Sequence, residues 1–127
     1  VEIEVEGLPP FKPATSRSPQ IGPFGLHIHE HGHCGEGGGK EPFALAGGHY
    51  NPDHQPHGNH AGDLPVLFSN NGAAQMSVYT SRFKPEQVIG RSIVIHQSPD
   101  DFRTQPSGNS GLRIACGEIL RYRPLRR

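Results

Sequence analysis

Eight of the chain's nine histidines fall between His27 and His60, and they come in three groups. The first is His27, His29, His31 and His33; the second is His49 alone; the third is His54, His57 and His60, with Asp63 three residues on. The ninth, His96, closes the apolar run Ile93-Val94-Ile95. Neutral imidazole is the commonest protein ligand for metal ions, and no other demand on a folded chain concentrates it in this way. The histidines are interspersed with Gly, Pro and apolar residues inside the chain, which excludes a purification tag. The pattern is that of a metal protein.

Ligand type separates two sites. His27 and His29, at i and i+2, project from one face of a strand, and His96 ends another strand. An all-nitrogen set from such rigid positions, with open axial access, suits Cu(II). His57, His60 and Asp63 stand three residues apart at each step in a loop; imidazoles with one carboxylate in a tetrahedral array suit a structural Zn(II). His49 lies between the groups, and a deprotonated imidazole has a nitrogen for each metal. Singly, these patterns are commonplace: a His-x-His pair is often surface decoration, and a strand histidine is often only hydrogen-bonded. Their coincidence in one short chain carries the reading.

The elements that must position these ligands are strands. Val1-Glu2-Ile3-Glu4-Val5-Glu6 alternates apolar and acidic with period two, a half-buried strand. Residues 9–23 contain five prolines and read as an extended surface loop. Phe24 to His29 is the second strand. Cys34 to Pro65 has almost no periodicity and much Gly, His, Pro and Asn; so long a loop is functional or disordered, and its ligands argue for order on metal binding. Leu64–Ser69, Ala73–Thr80 and Arg91–His96 are strand-like, with Asn70-Asn71-Gly72 as a hairpin turn between the first two. Pro99 to Gly111 is a second long loop, and Arg113 to Tyr122 is the sixth strand.

Gly and Pro number 17 and 13, so short strands with long loops are expected rather than long helices. Residues 1–127 read as one domain, all-β, a sandwich or barrel with two large functional loops. Twelve acidic and twelve basic residues cancel, and net charge implies no nucleic-acid or membrane partner. The tail Arg121, Arg123, Arg126 and Arg127 reads as a solvated end. No apolar stretch approaches the ~20 residues of a membrane span, and no signal peptide is visible; a leader already removed would fit a chain that opens mid-strand. Cys34 and Cys116 are either two buried thiols or one pair. A pair would close a long loop, worth about 4–5 kcal/mol in the chain-entropy model, and would suit an oxidising compartment.

The chain resembles the copper–zinc superoxide dismutase family. The likeness rests on Gly25-Leu26-His27-Ile28-His29-Glu30, Gly47-Gly48-His49-Tyr50-Asn51-Pro52, His60-Ala61-Gly62-Asp63-Leu64, Val94-Ile95-His96 and Gly108-Asn109-Ser110-Gly111-Leu112-Arg113-Ile114-Ala115-Cys116-Gly117. It implies a Greek-key, immunoglobulin-like sandwich or flattened barrel. It implies copper on His27, His29, His49 and His96, and zinc on His49, His57, His60 and Asp63, with His49 bridging and catalytic. It implies that Arg113 guides the superoxide anion, that Cys34 and Cys116 form the family's disulfide, and that Asp100 links the His27 and His57 imidazoles from outside the ligand set.

Three departures qualify the resemblance. The chain begins at the family's third strand, so about six core strands are expected, and a homo-oligomer, the Pro-rich loop or the tail would cover open sheet edges. The zinc loop is short between His57 and His60, which leaves His54 as a rival to His57; His31 and His33 match no family ligand. The loop from Gln97 to Leu112 lacks the family's charged cluster, leaving Arg103, Arg113 and Ser107 to shape the rim. The expected activity is superoxide disproportionation, with a non-catalytic copper or zinc carrier on the same fold as the rival. Retention of Arg113 and Asp100 favours the enzyme. The expected location is extracellular, periplasmic or cell envelope, with the cytosol still open.

Overall fold

The computed structural model describes residues 1–35 and 41–123. Arg126 and Arg127 of the basic tail, and part of the loop after Cys34, lie outside the described residues. Among the described residues six strands run in the order β1 (Glu2–Val5), β2 (Phe24–His29), β3 (Asp63–Leu67), β4 (Ala74–Ser77), β5 (Ser92–His96) and β6 (Arg113–Glu118). All pairings are antiparallel. β1 and β4 form one sheet, and the other has the order β3-β2-β5-β6. The only helical turns among the described residues are α1 (Pro85–Val88) and a 3₁₀ turn at Ala44–Ala46. Among the described residues no helix is long and apolar enough to cross a membrane.

The position of β2 follows from its sequence. Phe24, Leu26 and Ile28 alternate with Gly25, His27 and His29, and every one of these residues is buried. The apolar set joins Leu8, Tyr50, Leu64, Leu67, Ala74, Val88 and Ile95 in the core, where the two sheets meet. The opposite face carries the histidines and is covered by the long loops. A central strand flanked on both sides can be buried on both faces because its backbone groups are all paired.

The Asn70-Asn71-Gly72 turn forms, with Asn71 and Gly72 both at positive φ and Asn70 and Ala73 exchanging two hydrogen bonds of 2.8 and 3.0 Å. It does not join two strands of one sheet, as expected from sequence. β3 pairs with β2, β4 pairs with β1, and the chain changes sheet at the turn. Period-two alternation marks a strand without marking its partner. β6 also ends earlier than expected, at Glu118. Its partner runs out there, because Ile119 exchanges its last hydrogen bonds with Gly90 and Arg91, and Gly90 turns away at φ 84°.

Cys34 and Cys116 form a disulfide, with Cα atoms 5.5 Å apart and a sequence separation of 82. It ties the start of the first long loop to β6. Converting both cysteines to serine is expected to cost about 4–5 kcal/mol of stability in the chain-entropy model, read as a lower urea midpoint at an unchanged slope.

Candidate metal centre

The register of the four-stranded sheet brings the strand ligands together. β5 lies beside β2, and a register shift between Ile95 and His96 sets His96 opposite Arg113 on β6. The loop returns along the end of β2: His49 bridges to His29, and Glu30 N–H donates to Gly48 O at 2.9 Å. His27, His29, His49 and His96 each present one nitrogen, all within 4.8 Å of one another. His27, His49, His57 and Asp63 present a second set on the same criterion.

Outer hydrogen bonds decide which nitrogen each ring turns inward. His29 Nδ1–H points at Gly47 O, 2.9 Å away, and leaves Nε2 inward, 3.3 Å from His96 Nε2. His96 Nδ1 is 3.3 Å from Gly111 O. Asp100 accepts from two rings, His27 Nε2 at 2.6 Å and His57 Nε2 at 2.8 Å, so both rings turn Nδ1 inward. His49 Nδ1 lies 3.0 Å from Asp63 Oδ1 and 3.1 Å from His60 Nδ1. His57 Nδ1 lies 3.2 Å from Asp63 Oδ2 without the alignment of a hydrogen bond.

By proximity His27, rather than His60, completes the second set. However, its Nε2 is taken by Asp100, which leaves it one nitrogen to give. His60 Nδ1, 3.3 Å from Asp63 Oδ1, faces the same carboxylate as His57. His54 is exposed and belongs to neither set.

The donor set fits metal ions. Three buried nitrogens, His27 Nδ1, His49 Nε2 and His57 Nδ1, have no hydrogen-bond partner. Leaving such groups unpaired is costly, and cations coordinated in the two sets would satisfy all three. Electrostatics agree, because metal binding needs imidazole neutral and carboxylate ionised. Burial lowers the pKa of His29 to about 2 and of His96 to about 3. Burial also lowers His27 to about 4, against the opposing pull of its hydrogen bond to Asp100. Burial tends to raise Asp63, but hydrogen bonding to His49 and the nearby imidazoles hold its carboxyl well below the usual range. The same balance, with hydrogen bonds from His27 and His57, lowers Asp100.

A cavity of about 260 Å³ opens onto the first set, lined by His49, His96, Ser107, Leu112 and Arg113 with Glu41 at its rim. Arg113 is half-buried, and its guanidinium donates to Phe43 O at 2.9 Å and Gly47 O at 2.8 Å. Burial lowers its pKa, and Glu41 opposes that shift. Gly47 O thus serves both His29 and Arg113. Ser107 lines the cavity, whereas Arg103 is exposed and does not.

Several positioning groups are silent in the sequence. Gln105 clamps His57 from both sides, accepting its N–H at 2.7 Å and donating to its carbonyl at 3.2 Å. Arg82 donates to His60 O at 3.1 Å. A Cβ on Gly108, at φ 71°, would run into the Asp100 carboxylate and sit 2.6 Å from His57 Nε2. The glycine in Gly108-Asn109-Ser110-Gly111 was a visible signal; the carbonyls and clamps were not.

A family model described as copper/zinc superoxide dismutase (SODC) matches residues 1–119. The copper–zinc superoxide dismutase of Deinococcus radiodurans is 42% identical over a 134-residue alignment covering 92% of this chain and 68% of that protein. The one from Photobacterium leiognathi is 41% identical, covering 77% of this chain and 64% of its own length. This chain therefore spans about two thirds of the relatives it matches. The copper/zinc superoxide dismutase structure from Brucella abortus superposes with a TM-score of 0.71 at 32% identity, covering 93% of this chain and 78% of that one.

Two outcomes follow from this geometry. Asp100→Ala frees two rings at once and is expected to lower zinc affinity roughly 10–100-fold, measured by competition with a chelator, while the strands stay folded. The metal-free protein should lose stability on acidification. Its buried histidines resist protonation, whereas the unfolded chain takes up protons near the ordinary value of 6.5. Stability is therefore complete above that value and falls as pH drops through 6.5, past about 4 for His27 and on towards about 3 for His96 and about 2 for His29, read as a falling urea midpoint.

Proposed function

The chain belongs to the copper/zinc superoxide dismutase family, and we propose that it disproportionates superoxide to dioxygen and hydrogen peroxide. Copper is assigned to His27, His29, His49 and His96, and zinc to His49, His57, His60 and Asp63. Four inward nitrogens within 4.8 Å, beside an arginine-lined cavity, support the first set. Three imidazoles around one carboxylate support the second. When bound, copper supplies a one-electron couple, and zinc, being d¹⁰, supplies structure without redox chemistry.

The chain's own residues handle charge and protons. Two superoxide anions and two protons give one dioxygen and one peroxide, so an anion must enter twice and protons must be delivered. Arg113 holds a fixed positive charge at the cavity wall and orients the anion towards the rings of His49 and His96. Tethering to Phe43 O and Gly47 O keeps that guanidinium in place without neutralising it. His49 Nε2, buried without a protein partner, would carry a proton whenever it is not holding copper, and would release that proton to the peroxide. The other proton comes from solvent at the cavity mouth. The fully buried Asp100 keeps His27 and His57 from turning.

The observation that carries this reading is Arg113 in the same cavity wall as His49 and His96. A metal carrier has no use for an anion-orienting arginine. The disulfide suits an oxidising compartment, and we place the protein outside the cytosol, in the periplasm, cell envelope or extracellular space.

In protein reconstituted with copper and zinc, Arg113→Ala is expected to lower the superoxide rate about tenfold or more, at unchanged metal content and with a flatter salt dependence. Arg113→Lys should recover part of the rate. A cyanide-sensitive assay that finds no dismutation in the fully loaded wild type would leave only the carrier reading.

A further inference from the structure

We propose that Glu30, His31 and His33 form a separate surface site for a divalent ion that takes imidazole and carboxylate ligands, with Cu(II) as the ion of highest expected affinity. These residues follow β2 directly and take no part in the buried sets. The two rings are neighbours, with centroids 6.5 Å apart and planes tilted by 48°. In the buried centre, the rings of His27 and His29 are 6.1 Å apart, as are those of His49 and His96. Glu30 Oε2 lies 3.9 Å from His31 Nε2. The three do not converge as the two buried sets do, so binding requires these exposed side chains to rotate together.

The backbone beneath is held by hydrogen bonds. Glu30 N–H donates to Gly48 O and His31 N–H to Ala46 O, both at 2.9 Å. Ser92 Oγ–H donates to His31 O at 2.7 Å, and Arg91 Nη1 to Glu30 O at 2.9 Å. The disulfide at Cys34 closes the segment. Gly32 admits no side chain, since a Cβ there would sit 2.5 Å from Gly90 O and 3.1 Å from Glu118 Cγ. That close fit brings Glu118 alongside and adds a second carboxylate to the neighbourhood. Arg91 brings a positive charge, but its guanidinium is engaged over the Tyr50 ring at 4.1 Å and on the carbonyl of Glu30.

Exposure favours capture from solution: the side chains of Glu30 and His31 are 56% and 53% exposed. The site also stands close to the buried centre. His31 Cδ2 would lie 2.8 Å from a Cβ on Gly47, and the Gly47 carbonyl accepts from His29 Nδ1. One peptide unit separates the surface imidazole from a copper-site ring.

The test is calorimetric titration of Cu(II) into protein whose buried sites already hold copper and zinc. Wild type is expected to take up one further equivalent, which disappears in His31→Ala/His33→Ala and persists in His54→Ala, the variant at the other exposed histidine of the loop. The paramagnetic resonance spectrum of the wild type after the added equivalent, minus that of the same copper- and zinc-loaded protein before it, needs no variant and should show imidazole nitrogen coupling on the added ion. No further equivalent in wild type, its survival in the double variant, or an added ion without nitrogen coupling would each overturn the proposal.

Discussion

One imidazole ring has a nitrogen in each of two buried ligand sets, and the rest of the fold can be understood as holding that ring still. His49 points Nδ1 at Asp63 and His60, its Nε2 is buried without a protein partner, and the residue belongs to both ligand sets. A ring placed this way cannot rotate without abandoning both sets. Its backbone is accordingly joined to the end of β2 by a bridge to His29. Asp100 repeats the device from outside, with one oxygen on His27 and the other on His57.

Strands and loops divide the work. The sheet register supplies His27, His29, His96 and Arg113, whose separations are set by backbone pairing and change little with solvent or charge. The loops supply His49, His57, His60 and Asp63, and they need clamps because loop backbone has few ladders of its own. The disulfide, Gly47 O, Gln105 and Arg82 are those clamps. Close packing of unprotonated imidazoles is tolerated because burial keeps them neutral. The same burial makes the metal-free state vulnerable to acid, so the cost of preorganising the site falls on the protein before it is loaded.

Much of this is legible in the sequence, for physical reasons. Apolar–histidine alternation in Phe24–His29 announces a strand with a core face and a ligand face, and the strand has the bounds that alternation suggests. The clustering of imidazoles shows a metal centre, and Asp63 distinguishes one set from the other by chemistry. Pairing is less legible. Asn70-Asn71-Gly72 encodes a tight turn but not that the chain changes sheet there, because that depends on which distant strand is free to pair. Backbone acceptors such as Gly47 O and Gly111 O have no side-chain signature at all. Arg82, which holds the carbonyl of His60 from outside the loop, looks in sequence like any surface arginine.

The most direct test of the central claim is a crystal structure of the metal-loaded protein with anomalous data collected at the copper and zinc edges. The account expects two ions, one of each element, bonded to opposite nitrogens of the His49 ring. A single ion, or two ions that do not share that ring, would contradict it.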